Sequence, residues 1–249
     1  MQPIVTDPVP SYTDDTLFEG RLICRQHQKG YRFSIDAILL AHFCRPTKDA
    51  RVLDLGTGCG IVSLIMAYRY PEIFLTALEI QADLAALARS NVVENKYDGR
   101  IEVINGDYRE IKKLLPVESF DLIVSNPPYY QVGKGRMNPA DEQAGARHEL
   151  YGDLFQAMKN AAFVVKNRGR VCVVYPAEQT ARLFSAMMTV NLIPKRLLPV
   201  YSYPGEGRAR LVLVEGIKNG GDELSFQAPL YIYSRKNGPY SSQMQDYYR

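Results

Sequence analysis

The sequence Asn126-Pro127-Pro128-Tyr129 combines residue types that can hold an amino group. Each proline removes a backbone N–H donor and restricts the chain, so the turn is stiff. The carbonyl oxygen of Pro127 has no neighbouring N–H to compete with it, and the side chain of Asn126 adds a second carbonyl. Two acceptors side by side suit a nitrogen with two N–H bonds, and Tyr129 can stack on a flat group that carries this nitrogen.

The chemistry of an amino group on a base explains why such an arrangement is needed. This nitrogen is a poor nucleophile because its lone pair is delocalised into the ring. Hydrogen bonds from its two protons to Asn126 and Pro127 would favour a pyramidal nitrogen with the lone pair directed at an electrophile. No strong base is needed before attack, since the proton leaves once the nitrogen is cationic. An in-line displacement at a methyl group could then be accelerated largely by positioning.

Residues 51–60 provide a candidate pocket for a methyl donor. The apolar residues at the start of this segment indicate a buried strand, its glycines a tight turn, and the apolar residues after it a helix. This order forms a nucleotide-type pocket at the carboxyl end of the strand. Gly56, Gly58 and Gly60 depart from the dinucleotide spacing, and Asp54 at the pocket mouth would repel a pyrophosphate. We therefore favour S-adenosylmethionine, which carries an ammonium and no phosphate, over a nicotinamide dinucleotide or a turn without a ligand.

Polar residues follow four successive predicted strands, namely Asp54, Glu79, Asp107 and Asn126. Ligands of open α/β sheets bind at the carboxyl edge, where these residues would meet. Glu79 could accept hydrogen bonds from both hydroxyls of a ribose, and Asp107 from an adenine amino group. The pattern predicts one pocket built from consecutive strand ends.

The elements that would position these residues alternate between strand and helix. Strands are predicted at 52–55, 72–78, 101–104, 120–124, 170–174, 197–201 and 210–215. Helices are predicted at 35–43, where Ser34 is the N-cap, and at 61–70, 82–95, 150–165 and 177–189. This order indicates a doubly wound, mostly parallel α/β sheet with an antiparallel C-terminal edge. We expect an N-terminal arm and pocket-covering helix over residues 1–45, a main domain over 46–217 and a tail packed on it over 218–249.

Composition argues against several other classes of protein. No apolar run approaches the roughly 20 residues that span a bilayer, and the acidic, proline-rich N-terminus is unlike a signal peptide, so we expect a cytoplasmic protein without a membrane partner. The cysteines and histidines are scattered, which favours reduced thiols and no metal; they are Cys24, Cys44, Cys59, Cys172, His27, His42 and His148. The net charge of +3 permits a nucleic-acid partner.

Residues 51–60, 79, 105–107 and 126–129 resemble the motifs of class I S-adenosylmethionine-dependent amino-methyltransferases of the N-P-P-Y type. The resemblance implies a Rossmann-like fold, S-adenosylmethionine as cofactor, and a strand-end acid for the ribose and another for the adenine. The cofactor residues that it implies are Tyr31, Phe33, Asp54, Gly56, Thr57, Gly58, Glu79, Ile80, Asp107, Tyr108 and Asn126. The catalytic residues that it implies are Asn126, Pro127, Pro128 and Tyr129.

Residues 31–37, 146–149 and 211–215 are similar to bacterial tRNA (adenine-N6)-methyltransferases that modify the purine beside the valine tRNA anticodon. This similarity implies transfer to adenine N6 in tRNA or another structured RNA. Other N-P-P-Y enzymes act on DNA, on other RNAs or on a protein glutamine, and a non-catalytic RNA-binding module is a further alternative. Only 50 residues precede Arg51, which is short for the helical domain of the glutamine enzymes.

Cationic residues suggest where RNA would bind. We expect Lys134, Arg136 and Arg147, in the segment after the N-P-P-Y motif, to contact RNA phosphates while the segment orders over a flipped base. A second group of cations could extend this surface, although a solvated surface is an equal alternative; it comprises Lys195, Arg196, Arg208 and Arg210.

Overall fold

The computed structural model describes residues 12–28, 34–127 and 154–249. Its strands are β1 (Tyr12–Leu17), β2 (Leu22–His27), β3 (Arg51–Leu55), β4 (Phe74–Glu79), β5 (Ile101–Asn105), β6 (Phe120–Ser125), β7 (Val165–Pro176), β8 (Leu192–Tyr201), β9 (Leu211–Lys218), β10 (Ser225–Phe226) and β11 (Leu230–Tyr231). Its α-helices are α1 (Ile35–Phe43), α2 (Ile61–Arg69), α3 (Ala82–Glu94), α4 (Ile111–Leu114), α5 (described over 154–164), α6 (Thr180–Thr189) and α7 (Ser242–Asp246).

A nine-stranded sheet forms the centre of the described part of the chain, in the order β10-β8-β9-β7-β6-β3-β4-β5, with β11 also paired to β8. The five strands β5, β4, β3, β6 and β7, adjacent in that order, pair with one another in parallel. Strand β9 is antiparallel to both β7 and β8. The predicted doubly wound, mostly parallel sheet with an antiparallel C-terminal pair is therefore confirmed. The sequence did not predict that β10 and β11 extend the sheet by pairing with β8 in parallel.

Side chains at alternate positions of the central strands supply two cores. Val52 of β3 belongs to the core that includes α1, α2, α3 and the β1-β2 hairpin, whereas Leu53 and Leu55 belong to the core that includes α4, α5 and α6. This alternation follows from the two-residue period of a strand. Helices thus cover both faces of the sheet, so a ligand can approach it only at the strand ends, and ligands of open α/β sheets bind at the carboxyl ends.

Two asparagine side chains, in and directly after α3, attach the N-terminal hairpin β1-β2 to that helix. The backbone N–H of Ile23 donates to Asn95 Oδ1 and that of Arg25 to Asn91 Oδ1, both at 2.9 Å. Asn91 Nδ2 also donates to the carbonyl of Cys59, inside the glycine turn, at 2.9 Å. The hairpin, α3 and the turn are therefore held in one hydrogen-bonded unit. Among the described residues, no helix combines the length and the apolar content that crossing a membrane requires.

Candidate active site

The glycine turn after β3 adopts a conformation that other residues rarely reach. Gly56, Gly58 and Gly60 have φ angles of 79°, 60° and 90°, in the left-handed region. A Cβ on Gly60 would lie 3.3 Å from the Cβ of Ala88, so α3 packs tightly there. A Cβ on Gly56 would meet no protein atom within 4 Å, so the protein leaves open space on that side of the turn. The turn is therefore shaped to let backbone approach a ligand.

The structure corrects the expected position of Asp54. Its side chain is only 1% exposed and does not lie at the pocket mouth. Its Oδ2 atom accepts hydrogen bonds from Thr57 Oγ1 at 2.6 Å and from Ser63 Oγ at 2.7 Å. Burial raises the pKa of this carboxyl to about 6. Asp54 lies inside β3, on the same face as Val52, and its hydrogen bonds join the glycine turn at Thr57 to helix α2 at Ser63.

Glu79 ends β4 and points under the glycine turn. The residue is 5% exposed. Its Oε2 atom accepts from the backbone N–H of Gly58 and its Oε1 atom from that of Gln81, both at 2.9 Å. A carboxylate has about four lone-pair positions, so each oxygen retains the capacity to accept once more. Glu79 is followed by Ile80, which is 47% exposed and offers an apolar surface at the same edge.

Asp107, which follows β5, is held by a cation that sequence analysis missed. Its Oδ1 atom accepts from the backbone N–H of Arg109 at 2.8 Å and caps the short 3-10 turn Tyr108–Glu110. The guanidinium of Arg109 donates to both carboxylate oxygens, and this contact holds the pKa of Asp107 below its usual range. Asn105 links this strand end to the previous one, because its Nδ2 donates to the carbonyl of Glu79 at 2.9 Å.

The first half of the N-P-P-Y motif lies beside the glycine turn. Asn126 and Pro127 follow β6 directly, and β6 pairs in parallel with β3. The buried hydroxyl of Ser125 donates to the carbonyl of Leu55 at 3.0 Å, which ties the ends of the two strands together. The other site residues fall outside the described part of the chain; they are Tyr31, Phe33, Pro128, Tyr129, Lys134, Arg136 and Arg147.

The suggestion that Arg196 belongs to an RNA-binding surface is wrong. Arg196 has a side chain only 13% exposed, and its Nη2 donates to Glu215 at 3.1 Å and to the carbonyl of Phe43 at 2.9 Å. Its guanidinium also stacks on the Phe43 ring at 3.8 Å. The adjacent Lys195 donates to Glu223 at 2.8 Å. Arg196 therefore stabilises the packing of α1 on β8 and β9.

The described residues contain no group of three or more histidine, cysteine or acidic side chains arranged to hold a metal ion.

Comparison with known proteins relates this edge to a family. Residues 34–182 match the model of the methyltransferase small domain. A protein of Bacteroides thetaiotaomicron named tRNA1(Val) (adenine(37)-N6)-methyltransferase is 30% identical over 217 residues, which cover 86% of this chain and 88% of that protein. A protein of the same name from Shewanella halifaxensis is 30% identical over 223 residues, or 85% and 88% of the two chains.

Solved structures support the same fold. The crystal structure of Atu636, described as a predicted O-methyltransferase from Agrobacterium tumefaciens, aligns with a TM-score of 0.70 and 23% identity over 85% of this chain and 94% of that one. The structure of TrmN from Thermus thermophilus aligns with a TM-score of 0.55 and 20% identity over 73% and 48%. The chain has the class I methyltransferase fold, belongs to the methyltransferase small domain family, and is a methyltransferase enzyme.

Proposed function

We propose that this enzyme transfers a methyl group from S-adenosylmethionine to the N6 amino group of an adenine in tRNA. The observation that carries the proposal is the meeting of Glu79, the glycine turn and Asn126 at one sheet edge, where hydrogen bonds fix the ends of β3, β4 and β6. The relatives named tRNA1(Val) (adenine(37)-N6)-methyltransferase support adenine 37 as the target nucleotide.

The residues at the edge fit S-adenosylmethionine. The open side of Gly56 accommodates a ligand against the backbone, and the remaining lone pairs of Glu79 suit the two ribose hydroxyls. Gly58 and Thr57 would line the methionine side, and Ile80 the adenine side. When bound, S-adenosylmethionine supplies a methyl group on a positively charged sulfur. Tyr31 and Phe33 are proposed, from their motif alone, to close the methionine end.

Asp107 and Tyr108 would complete the adenine end of the cofactor pocket. Asp107 is a suitable acceptor for an adenine amino group, because a carboxylate can accept several hydrogen bonds. Arg109 already occupies part of this capacity, so cofactor binding would require the guanidinium to share the carboxylate. We therefore expect Asp107 to contribute less to cofactor affinity than Glu79.

Asn126 and Pro127 would hold the substrate amine. The carbonyl oxygens of the Asn126 side chain and the Pro127 backbone accept the two N–H bonds, which directs the nitrogen lone pair at the methyl group. Pro128 stiffens this turn, and Tyr129 would stack on the adenine ring. The nitrogen loses a proton after the methyl transfer, so the residues need only position it. Lys134, Arg136 and Arg147 are proposed to hold the RNA phosphates around the flipped base.

Mass-spectrometric nucleoside analysis of tRNA treated with the purified enzyme and labelled S-adenosylmethionine tests this function. We expect labelled N6-methyladenosine in tRNA, and its absence would contradict the proposal. Parallel reactions with a release factor and with DNA separate the glutamine and DNA alternatives, since label in either of those in place of tRNA would identify a different substrate.

The substitution Asn126→Ala tests the role of the amide. We expect kcat to fall by on the order of 10²-fold, because one of the two acceptors that orient the amine is lost. Calorimetric titration should show that S-adenosylmethionine still binds. Asn167→Ala, at an exposed asparagine of β7, is the control and should keep full activity. Unchanged turnover in Asn126→Ala would refute the assignment.

A further inference from the structure

A cleft beside the candidate active site is lined by cations that sequence analysis did not single out. It has a volume of about 320 Å³ and lies between the segment after β5 and helix α5. Of its seven lining residues, four are cationic, two carry side-chain amides and one is acidic; they are Arg109, Lys112, Lys113, Lys159, Gln156, Asn160 and Glu110. All four cationic residues are exposed. The cleft therefore presents hydrogen-bond donors of positive charge to solvent.

The walls of this cleft are fixed relative to the carboxyl edge of the sheet. Asn160 is 3% exposed, and its Nδ2 donates to the backbone carbonyl of Tyr108 at 2.7 Å. Gln156 Nε2 donates in turn to Asn160 Oδ1 at 3.1 Å. Tyr108 directly follows Asp107, at the proposed adenine end of the cofactor pocket. The cleft is thus attached to the proposed adenine end of the cofactor pocket.

Arg109 is paired with Asp107, whereas the lysines of the cleft are only weakly compensated within the protein. Lys113 donates to Glu110 at 2.9 Å, but their side chains are 74% and 58% exposed. Exposed pairs of this kind contribute about 0 to 1 kcal/mol, so a polyanion can compete with them. Lys112 lies 5.4 Å from the centre of the Phe163 ring, which places its ammonium group over α5. Together with Lys159, these residues favour a ligand with several negative charges.

We infer that this basic cleft binds the phosphate backbone of the RNA substrate beside the methylated nucleotide. The inference rests on the proposed function and deepens it by assigning a surface to the RNA. A nucleic-acid backbone fits because it carries regularly spaced phosphates that accept from ammonium and amide donors. The position next to the strand ends would hold the RNA while its target base enters the pocket at Asn126.

The test compares two triple variants that remove the same charge. Lys112→Gln, Lys113→Gln and Lys159→Gln are combined in one protein. The control combines Lys48→Gln, Lys96→Gln and Lys236→Gln, three exposed lysines that do not line the cleft. The affinity for tRNA is measured by fluorescence anisotropy over a series of salt concentrations, and kinetics are measured with tRNA as the varied substrate.

For the cleft variant, we expect the slope of log affinity against log salt to decrease in magnitude by about 2, since each phosphate contact contributes roughly 0.7 to 0.9. The KM for tRNA should rise by about 10-fold, while the affinity for S-adenosylmethionine and the melting temperature stay unchanged. The control should keep the slope of the unmodified enzyme. A cleft variant that melts normally and retains the full slope and KM would overturn the inference.

Failure of the cleft inference can be told apart from failure of the proposed function. If the unmodified enzyme methylates tRNA and the cleft variant behaves like the control, only the cleft assignment is wrong. If the unmodified enzyme neither binds nor methylates tRNA, the function itself is wrong and the cleft inference falls with it. The single variant Lys159→Gln, on α5 alone, gives a second measurement and should reduce the slope by roughly 0.7 to 0.9.

Discussion

Glu79 ends β4 and Asp107 follows the neighbouring parallel strand β5, yet the protein holds the two acids in different ways. Glu79 is 5% exposed, and two backbone N–H groups fix its carboxylate. Asp107 has a side chain 25% exposed, and the long side chain of Arg109 is its main partner. The same signal in the sequence, an acid after a strand, thus gives one acceptor that is rigid before any ligand binds and one that must rearrange.

The position of each strand in the sheet explains this difference. Strand β4 lies between β3 and β5, so the glycine turn from β3 passes over Glu79 and supplies the N–H of Gly58. Strand β5 is at the end of the strand order, so its carboxyl end has a neighbour on one side only. Asp107 is consequently closer to solvent. Acceptors that are fixed in advance need little reorganisation on binding, so the interior acid should contribute more to cofactor affinity.

The substitution Glu79→Ala should have the largest effect. It would leave the buried N–H of Gly58 and the part-buried N–H of Gln81 without their acceptor, and loss of a buried partner costs about 1 to 3 kcal/mol. We expect the free energy of unfolding to fall by about 2 to 4 kcal/mol and the affinity for S-adenosylmethionine to fall by on the order of 10²-fold. Urea unfolding and calorimetric titration measure the two quantities. Glu94→Ala, at an exposed position of α3, is the control, and normal cofactor affinity in Glu79→Ala would refute the ribose assignment.

The substitution Asp54→Asn examines an acid that is buried without facing a ligand. The folded-state pKa of Asp54 is about 6, above its ordinary value of 3.8, so its contribution to stability is fully present below pH 3.8 and is lost as the pH rises through 6. Asparagine keeps an oxygen for Thr57 and Ser63 but does not titrate. Relative to the unmodified protein, the variant should gain about 2 to 3 kcal/mol in free energy of unfolding between about pH 4 and pH 8.

Urea unfolding of both proteins at the two pH values measures this change, and contributions from other titrating groups cancel in the difference. A difference between the two proteins that stays constant with pH would mean that Asp54 titrates normally in the folded state. The experiment also separates a structural acid from the ligand-facing role first expected from the sequence.

The substitution Asp107→Ala should have the smallest effect of the three. The exposed pair with Arg109 is worth at most about 1 kcal/mol, and loss of the cap on the 3-10 turn adds about as much. Because Asp107 would make one contact with the adenine, we expect its loss to lower the affinity for the cofactor by roughly 3- to 10-fold. The corresponding loss for Glu79→Ala is on the order of 10²-fold. Calorimetric titration of both variants with S-adenosylmethionine in the same buffer measures the two losses of affinity. Equal losses would show that burial does not distinguish these two acids.

The order of strands and helices could be predicted from the sequence because each element carries its own local signal. The helix Ile35–Phe43 and its N-cap Ser34 are confirmed to the residue. Strand β7 begins at Val165, within the segment predicted as helix, because its pairing with β6 extends further back than its apolar run. The strands β10 and β11 have two residues each and depend on pairing with distant β8, which no local pattern shows.

The sequence was enough to predict where the candidate site lies, but not which of its side chains are buried or paired. The spacing after the glycine turn indicated the position of Glu79. The burial of Asp54 follows from the alternation of side chains along β3, which places Asp54 on the same covered face as Val52. The pairing of Arg196 with Glu215 depends on the register of β8 against β9, and that register is a property of the folded sheet. Local sequence therefore indicates which strand ends carry polar groups, whereas tertiary packing decides which of them can reach a ligand.

A crystal structure of the enzyme with S-adenosylmethionine would show whether Glu79 holds the ribose and Asn126 faces the methyl group. We expect both ribose hydroxyls to lie about 2.6 to 3.2 Å from the carboxylate oxygens of Glu79, with the Asn126 side chain facing the sulfonium methyl group. A cofactor bound elsewhere, or an Asn126 amide directed away from the methyl group, would contradict this expectation.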